Sequence, residues 1–154
     1  MDATDAPDAL NDHPQKIQVN SVPADDSLTA DSGWKDMGVQ WIITRDSIPA
    51  AKHTVFGITT FPPGARHDIH RHPHAEEVEY LVEGSGIARI GDSDVIMRAG
   101  DVIFVGQDEA HGFWNTSTTE PALMIWCYGG AASLAEAGYI PEPEDPPEHP
   151  AIDS

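Results

Sequence analysis

Basic residues are scarce in this chain of 154 residues. Lysine and arginine together number 8, against 26 aspartates and glutamates, and the formal net charge is −18. An acidic surface repels nucleic-acid phosphates and anionic lipid headgroups, so we expect neither nucleic-acid binding nor binding to a membrane surface. The acidic excess favours a role in solubility, with attraction of a basic partner or adaptation to salt as alternatives.

Cysteine and long apolar runs are also nearly absent. Cys127 is the single cysteine, which excludes an intrachain disulfide. The sequence contains no run of about 18 apolar residues, the length that a membrane-spanning helix needs. The first residues are acidic and polar rather than basic and then apolar, unlike a signal peptide. A cytoplasmic protein is therefore expected.

Composition divides the chain into three parts. Residues 1–15 are rich in Asp, Ala and Pro and are predicted to be a flexible arm. Residues 16–140 are predicted to form one domain. Residues 141–154 are rich in Pro and Glu, and each proline removes a backbone donor and fixes φ. We expect an extended tail there, either disordered or draped over a neighbouring surface.

Short β-like runs separated by turns fill the predicted domain, at a spacing typical of an all-β sandwich or barrel. Gly91-Asp92 is a favoured hairpin turn. Residues 131–137 are the only helical pattern, with Gly138 suited to the position after the helix. The predicted strands are residues 16–22, 39–45, 53–61, 68–72, 77–83, 86–90, 94–98, 101–105, 112–115 and 122–128.

A histidine cluster at residues 67–74 is the strongest functional signal. Side chains alternate faces along a strand, so His70 and His72 project the same way and could share one metal ion at about 2.0–2.2 Å per bond. Pro73 ends the strand because it cannot donate to a ladder. The other two histidines of the cluster, His67 and His74, are expected to be solvated loop or rim residues.

Two further ligands are expected from later strands. Glu76 and Glu77 are both candidates for an acidic ligand, and periodicity alone does not choose between them. His111 follows a predicted strand and turn, and its small neighbours Ala110 and Gly112 permit close approach. Three nitrogens and one oxygen leave one or two coordination positions of a divalent transition metal open.

These residues follow two spaced motifs, and through them the chain resembles the cupins. The first motif is Gly, five residues, His-x-His, three or four residues, Glu, six residues and Gly, and it is matched by Gly64, His70, His72, Glu77 and Gly84. This spacing selects Glu77 over Glu76. The second motif is matched by Gly100, His111 and Asn115, while Gly106 and Asp108 replace its usual proline and glycine.

The resemblance implies a single-domain cupin β-barrel, or jelly roll, with a short C-terminal helix. It also implies a metal centre at His70, His72, Glu77 and His111. Fe(II) or Mn(II) is favoured by resemblance to cupin oxygenases, while Ni, Co, Cu and Zn tolerate the same ligands. The expected function is a dioxygenase acting on a small organic metabolite. The alternatives are a non-redox lyase or isomerase, and a small-ligand-binding protein without catalysis.

Three further residues are candidates for the substrate pocket. Glu79 shares a strand face with Glu77, so it could act as a general acid or base or bond a ligand histidine, although a solvated position at the barrel mouth is the alternative. Phe113 shares a face with His111 and is the best aromatic candidate for the pocket wall. Arg66 could hold a substrate carboxylate, or be an ordinary surface arginine.

Small cupins resemble one another in pairing through their sheets, often with exchange of N-terminal strands. The resemblance therefore implies a homodimer, with residues 16–22 as a suitable exchange strand and the Pro-rich tail as a possible clasp on the partner. An exposed strand edge also favours such pairing.

Overall fold

The computed structural model describes residues 12–145, 147, 148 and 152. The flexible arm predicted at residues 1–15 lies mostly outside the described residues. No helix in the described part of the chain is long and apolar enough to cross a membrane.

Eleven strands and one short helix build the described domain. In chain order they are β1 (Trp34–Lys35), β2 (Gly38–Ile43), β3 (Thr54–Phe61), β4 (Arg66–Arg71), β5 (Glu76–Glu83), β6 (Ser85–Ile90), β7 (Ser93–Arg98), β8 (Val102–Val105), β9 (His111–Trp114), β10 (Ala122–Gly129), α1 (Leu134–Ala137) and β11 (Ile140–Pro141). The all-β fold predicted from the sequence is confirmed.

The strands form two antiparallel sheets. The first sheet has the order β1-β4-β9-β6-β7, and β11 pairs with the far end of β4. The second sheet has the order β2-β3-β10-β5-β8. Because neighbours along the chain often lie in opposite sheets, the two layers wrap around a common interior, as in a jelly roll.

Alternation decides which side chains reach that interior. On β5 the odd-numbered residues Glu77, Glu79 and Leu81 are buried and the even-numbered residues 76, 78 and 80 are exposed. The main core fills the space between the sheets with aromatic and aliphatic side chains from both layers. A smaller cluster of Ile69, Ile87 and Trp114 lies on the outer face of the first sheet.

The strand predicted at residues 16–22 is wrong. Val19–Ser21 forms a 3-10 turn, because the Gln18 side chain accepts a hydrogen bond from the Asn20 amide and its carbonyl accepts one from the Ser21 hydroxyl at 2.6 Å. Such local bonds compete with a strand ladder. The segment therefore forms no strand within the described chain, and its exchange with a partner stays a prediction.

The predicted helix is shorter than its pattern. It covers Leu134–Ala137 instead of residues 131–137, because the Ser133 side chain caps its first turn by accepting from the Glu136 amide at 3.1 Å. Gly138 ends it with φ +79. Gly91, in the predicted hairpin turn, has φ +57, as such a turn requires.

The tail is draped over the first sheet of its own chain. Glu142 and Glu144 form ion pairs with Arg71 and Arg89, and Ile152 packs against the outer apolar cluster. The extended tail predicted for residues 141–154 thus has defined contacts at its described residues.

Candidate metal centre

Four side chains from both sheets meet in the barrel interior. His70 lies on β4 directly opposite His111 on β9, Glu77 reaches across from β5, and His72 follows the end of β4. All four are buried, and their ligand atoms lie within 4.8 Å of one another. The structure therefore brings together the four residues that the two motifs indicate, and Glu76 is exposed outside this group.

Backbone carbonyls fix the orientation of all three imidazoles. A carbonyl can only accept, so each Nδ1 must carry the hydrogen and each Nε2 turns its lone pair inward. Nε2 of His70 and of His72 has no hydrogen-bond partner among the described residues. The three Nδ1–H groups of His70, His72 and His111 donate to the carbonyls of Asp68 at 2.7 Å, Gly138 at 2.7 Å and Glu109 at 2.9 Å, respectively.

The Glu77 carboxylate completes the group. Its Oε2 lies 2.7 Å from His111 Nε2 and 3.3 Å from His72 Nε2. Burial would raise the pKa of Glu77, but His111 and His72 outweigh burial and hold that pKa well below its usual range. Burial would likewise lower the pKa of His111, yet Glu77 raises it to about 9. Because Nδ1 of His111 already carries a hydrogen, a second proton or a metal ion is needed between His111 Nε2 and Glu77 Oε2.

The donor set fits a divalent transition metal. Buried nitrogen lone pairs without a partner are costly, and a cation among three imidazoles and a carboxylate would satisfy all four groups. The residues His70, His72, Glu77 and His111 could therefore hold one ion, and the single cysteine lies outside the group.

Glu79 lies in the wall of a cavity that Glu77 also lines. Only 6% of its surface is exposed, and its Oε2 has no hydrogen-bond partner among the described residues. Burial, and then the nearby Glu77 carboxylate, raise the pKa of Glu79 to about 8. The solvated position at the barrel mouth, considered from the sequence, is therefore wrong.

The rest of the cavity wall is mainly aromatic. The space inside it that water-sized molecules can reach is about 20 Å³, and the described lining includes no lysine or arginine. Phe113 is in this wall, where its shared face with His111 predicts it. The aromatic lining residues are Trp34, Phe61, Phe113, Trp126 and Tyr128.

Arg66 lies outside the cavity, so the expectation that it faces the substrate is corrected. Its Nε forms an ion pair with Asp68 Oδ1 at 2.8 Å, and it pairs in register with Trp114, whose ring belongs to the outer cluster. The guanidinium is already held by a largely buried carboxylate and is not part of the described lining.

His67 was underestimated by the sequence pattern. The register between β4 and β9 shifts between His67 and His70, and this bulge turns both side chains inward. The His67 ring stacks on Trp34 at 4.0 Å and on His70 at 3.8 Å, and burial lowers its pKa well below 6.5. His74 is exposed, as expected. A bulge leaves no mark in simple alternation, so no sequence signal separates the two.

The second motif keeps its turn despite its departures. Asp108 occupies the place of the usual glycine with φ +59, a conformation that aspartate tolerates better than most residues. Its carboxylate also forms an ion pair with Arg71 at 2.9 Å. Asn115 is buried and donates from Nδ2 to three backbone carbonyls, those of Phe61, Pro62 and Glu120.

Known proteins resemble this chain in sequence to different extents. The chain is 33% identical over 69 residues to an oxalate-binding protein of Thermotoga maritima, covering 45% of this chain and 57% of that protein. It is 30% identical over 133 residues to the dimethylsulfoniopropionate lyase DddW of Ruegeria pomeroyi, covering 85% of this chain and 81% of that protein.

A solved structure shares the fold at low sequence identity. The polyketide cyclase RemF of Streptomyces resistomycificus superposes with a TM-score of 0.66 at 19% identity, over 82% of this chain and 84% of that chain. The family model described as a cupin domain matches residues 57–128, which include both motifs. The chain belongs to the cupin superfamily.

Proposed function

We propose that the chain is a metal-dependent lyase that removes a proton from a small organic acid and expels a leaving group. The observation that carries this proposal is the Glu79 carboxyl group, buried, with an unpartnered Oε2, in the wall of a cavity that the metal ligand Glu77 also lines. A proton-transfer residue must lie within hydrogen-bond reach of its substrate, and Glu79 is the acid placed for that task.

The roles of the individual residues follow from their positions. A divalent ion held by His70, His72, Glu77 and His111 would polarise a carboxylate or carbonyl oxygen and acidify the adjacent C–H bond. The ionised form of Glu79 accepts that proton at Oε2, and a pKa of about 8 means that this form increases as the pH rises toward 8. The C–H electron pair forms the new double bond as the bond to the leaving group breaks, and the leaving group departs with its electrons. The aromatic walls exclude water from this step.

The cavity wall also supports a substrate class. A dianion such as oxalate would gain from an arginine or lysine opposite the metal, and the described lining includes neither. Aromatic faces and two glutamates instead suit an apolar or positively charged end, held by cation–π attraction. We therefore favour a monocarboxylate with an onium or apolar end. Dimethylsulfoniopropionate, the compound in the name of the Ruegeria relative, is such a monocarboxylate.

The test is anaerobic turnover by metal-loaded protein. Protein reconstituted with Fe(II), Mn(II) or Zn(II) is incubated with β-substituted propionates, including dimethylsulfoniopropionate, and the unsaturated acid is measured by chromatography. We expect metal-dependent product without oxygen. Absence of anaerobic product from the whole panel, together with oxygen uptake on catechols, diketones or hydroxy acids, would contradict the lyase proposal.

A dioxygenase is the second candidate. Four protein ligands leave coordination positions through which substrate and dioxygen could both be bound, and this feature favours it. Its signature is turnover that stops when oxygen is removed. Tight binding of a panel compound without any turnover would instead support the third possibility, a ligand-binding protein.

Metal identity is part of the proposal. We propose Fe(II) or Mn(II), although the donor set also accepts Ni, Co, Cu and Zn. Elemental analysis of the purified protein, followed by removal and replacement of the ion, decides it: the native ion should restore more activity than the others.

A further inference from the structure

We infer that the segment 138–142, here called the C-terminal clasp, positions the metal ligand His72 and is coupled to metal binding. This inference rests on the metal group alone and holds for any of the reactions above. His72 differs from the other two histidine ligands because its orienting partner is distant in the sequence.

The orienting bond of His72 spans 66 residues of sequence. His70 and His111 each donate from Nδ1 to a carbonyl two residues earlier in their own segment. His72 donates instead to the Gly138 carbonyl at 2.7 Å. β4 ends at Arg71, so His72 lies beyond the strand ladder, with its carbonyl accepting from the Asp108 amide at 3.0 Å. The Gly138 carbonyl is therefore the partner that orients this ring through Nδ1, while Tyr128 packs against the ring at 4.7 Å.

Gly138 is restricted to glycine by its conformation and by its contacts. Its φ of +79 and ψ of +157 form a combination that essentially only glycine adopts. A Cβ added there would lie 2.9 Å from Cδ of Pro73, the residue after His72. Any larger residue must therefore move the carbonyl, the Pro73 ring or both, and each movement disturbs His72.

Contacts on both sides hold the clasp in place. Ile140 and Pro141 pair with Arg71 and His70 on β4, and the Glu142 amide donates to the Ile69 carbonyl at 2.7 Å. Glu142 Oε1 lies 2.5 Å from Arg71 Nε. The clasp thus pairs with the strand that carries His70 while it orients His72.

The preceding side of the clasp is fixed as well. The Gly138 amide, just after α1, donates to the carbonyl of Leu134, the first residue of α1, and the Tyr139 hydroxyl donates to the Ser32 carbonyl at 2.8 Å. The same hydroxyl lies 3.3 Å from His67 Nε2. The clasp therefore contacts the metal centre directly, since the Tyr139 ring also lies 4.9 Å from the ring of the ligand His70.

Linkage makes this coupling reciprocal. If a docked clasp holds His72 in the orientation that binds a metal ion, then a bound ion must favour the docked clasp by the same factor. Loss of an orienting partner of a histidine ligand typically weakens metal binding by about 10–100-fold. Metal binding should in turn slow local opening of residues 138–142.

The test compares Gly138→Ala with Gly64→Ala. Gly64 has the same φ of +79, but a Cβ there meets nothing within 4 Å, so it controls for backbone strain alone. Co²⁺ is titrated into metal-free protein and followed by its visible absorption, with folding checked by circular dichroism. We expect about 10–100-fold weaker Co²⁺ binding and altered absorption bands for Gly138→Ala, and a change below about threefold for Gly64→Ala.

A second measurement on the unaltered protein covers the case in which Gly138→Ala does not fold. Amide exchange of residues 138–142 is measured with and without saturating Zn²⁺, with the edge strand β7 as reference. We expect exchange in the clasp to slow at least threefold relative to β7. Equal slowing of both segments, or a folded Gly138→Ala protein that binds Co²⁺ within threefold of the unaltered one, would overturn the inference.

Discussion

Replacement of Glu79 by glutamine separates catalysis from metal binding. The two side chains have nearly the same shape, so the cavity keeps its volume and only the proton-accepting oxygen is lost. Glu79 is outside the group of four ligand atoms, and its Oε2 holds no protein partner that the change would strand. General acid–base catalysis contributes about 10²–10⁴-fold. We therefore expect kcat to fall by that factor, about 2.7–5.5 kcal/mol of activation free energy.

The matched control is Glu76→Gln. Glu76 belongs to the same strand but is exposed on the opposite face, so it loses the same charge without reaching the cavity. Steady-state rates are measured on the substrate found in the anaerobic panel, and metal content is measured on the same samples. Turnover of Glu79→Gln within threefold of the unaltered protein, at equal metal content, would refute the role assigned to Glu79.

Three further predictions follow from the contacts of the site and core. Replacement of His111 by alanine removes one of four ligands, so elemental analysis should show loss of stoichiometric metal, while His74→Ala, at an exposed position, should retain it. Thr59→Val removes the hydroxyl that accepts the Trp126 Nε1–H at 2.8 Å, and the stranded buried donor should lower the free energy of unfolding by about 1–3 kcal/mol in urea. The exposed Thr60→Val should change it by less than about 0.5 kcal/mol. The homodimer stays a prediction, supported by exposed apolar side chains on β5 and β8, and a monomer by light scattering would contradict it.

Local spacing predicts the His70–His72 pair, whereas the choice of Glu77 depends on the resemblance to the cupin motif. His70 lies on β4 and His72 directly follows its end, and the two-residue period of an extended chain places both side chains on the same face. Glu77 was harder, because Glu76 fits the same loop length. The burial of Glu77, Glu79 and Leu81 on one face of β5 gives a physical reason for the choice that the motif spacing made.

Irregular backbone explains why the pocket was predicted only in part. In the sequence, Arg66 and His67 are both simply close to the histidine cluster. The bulge in β4 decides that His67 faces inward and Arg66 outward. Whether a strand bulges depends on the register of its partner, here β9, which begins 40 residues after β4 ends. That pairing is not encoded in the residues that form the bulge.

Long-range contacts explain the remaining differences. The composition of residues 141–154 predicts an extended segment but does not indicate what it covers. Glu142 and Glu144 reach Arg71 and Arg89, respectively 71 and 55 residues away in sequence. Part of the acidic excess is thus matched within the chain, in a contact that also places the clasp against β4. Residues that look like a detached tail in the sequence are therefore joined, through Gly138, to the orientation of a metal ligand.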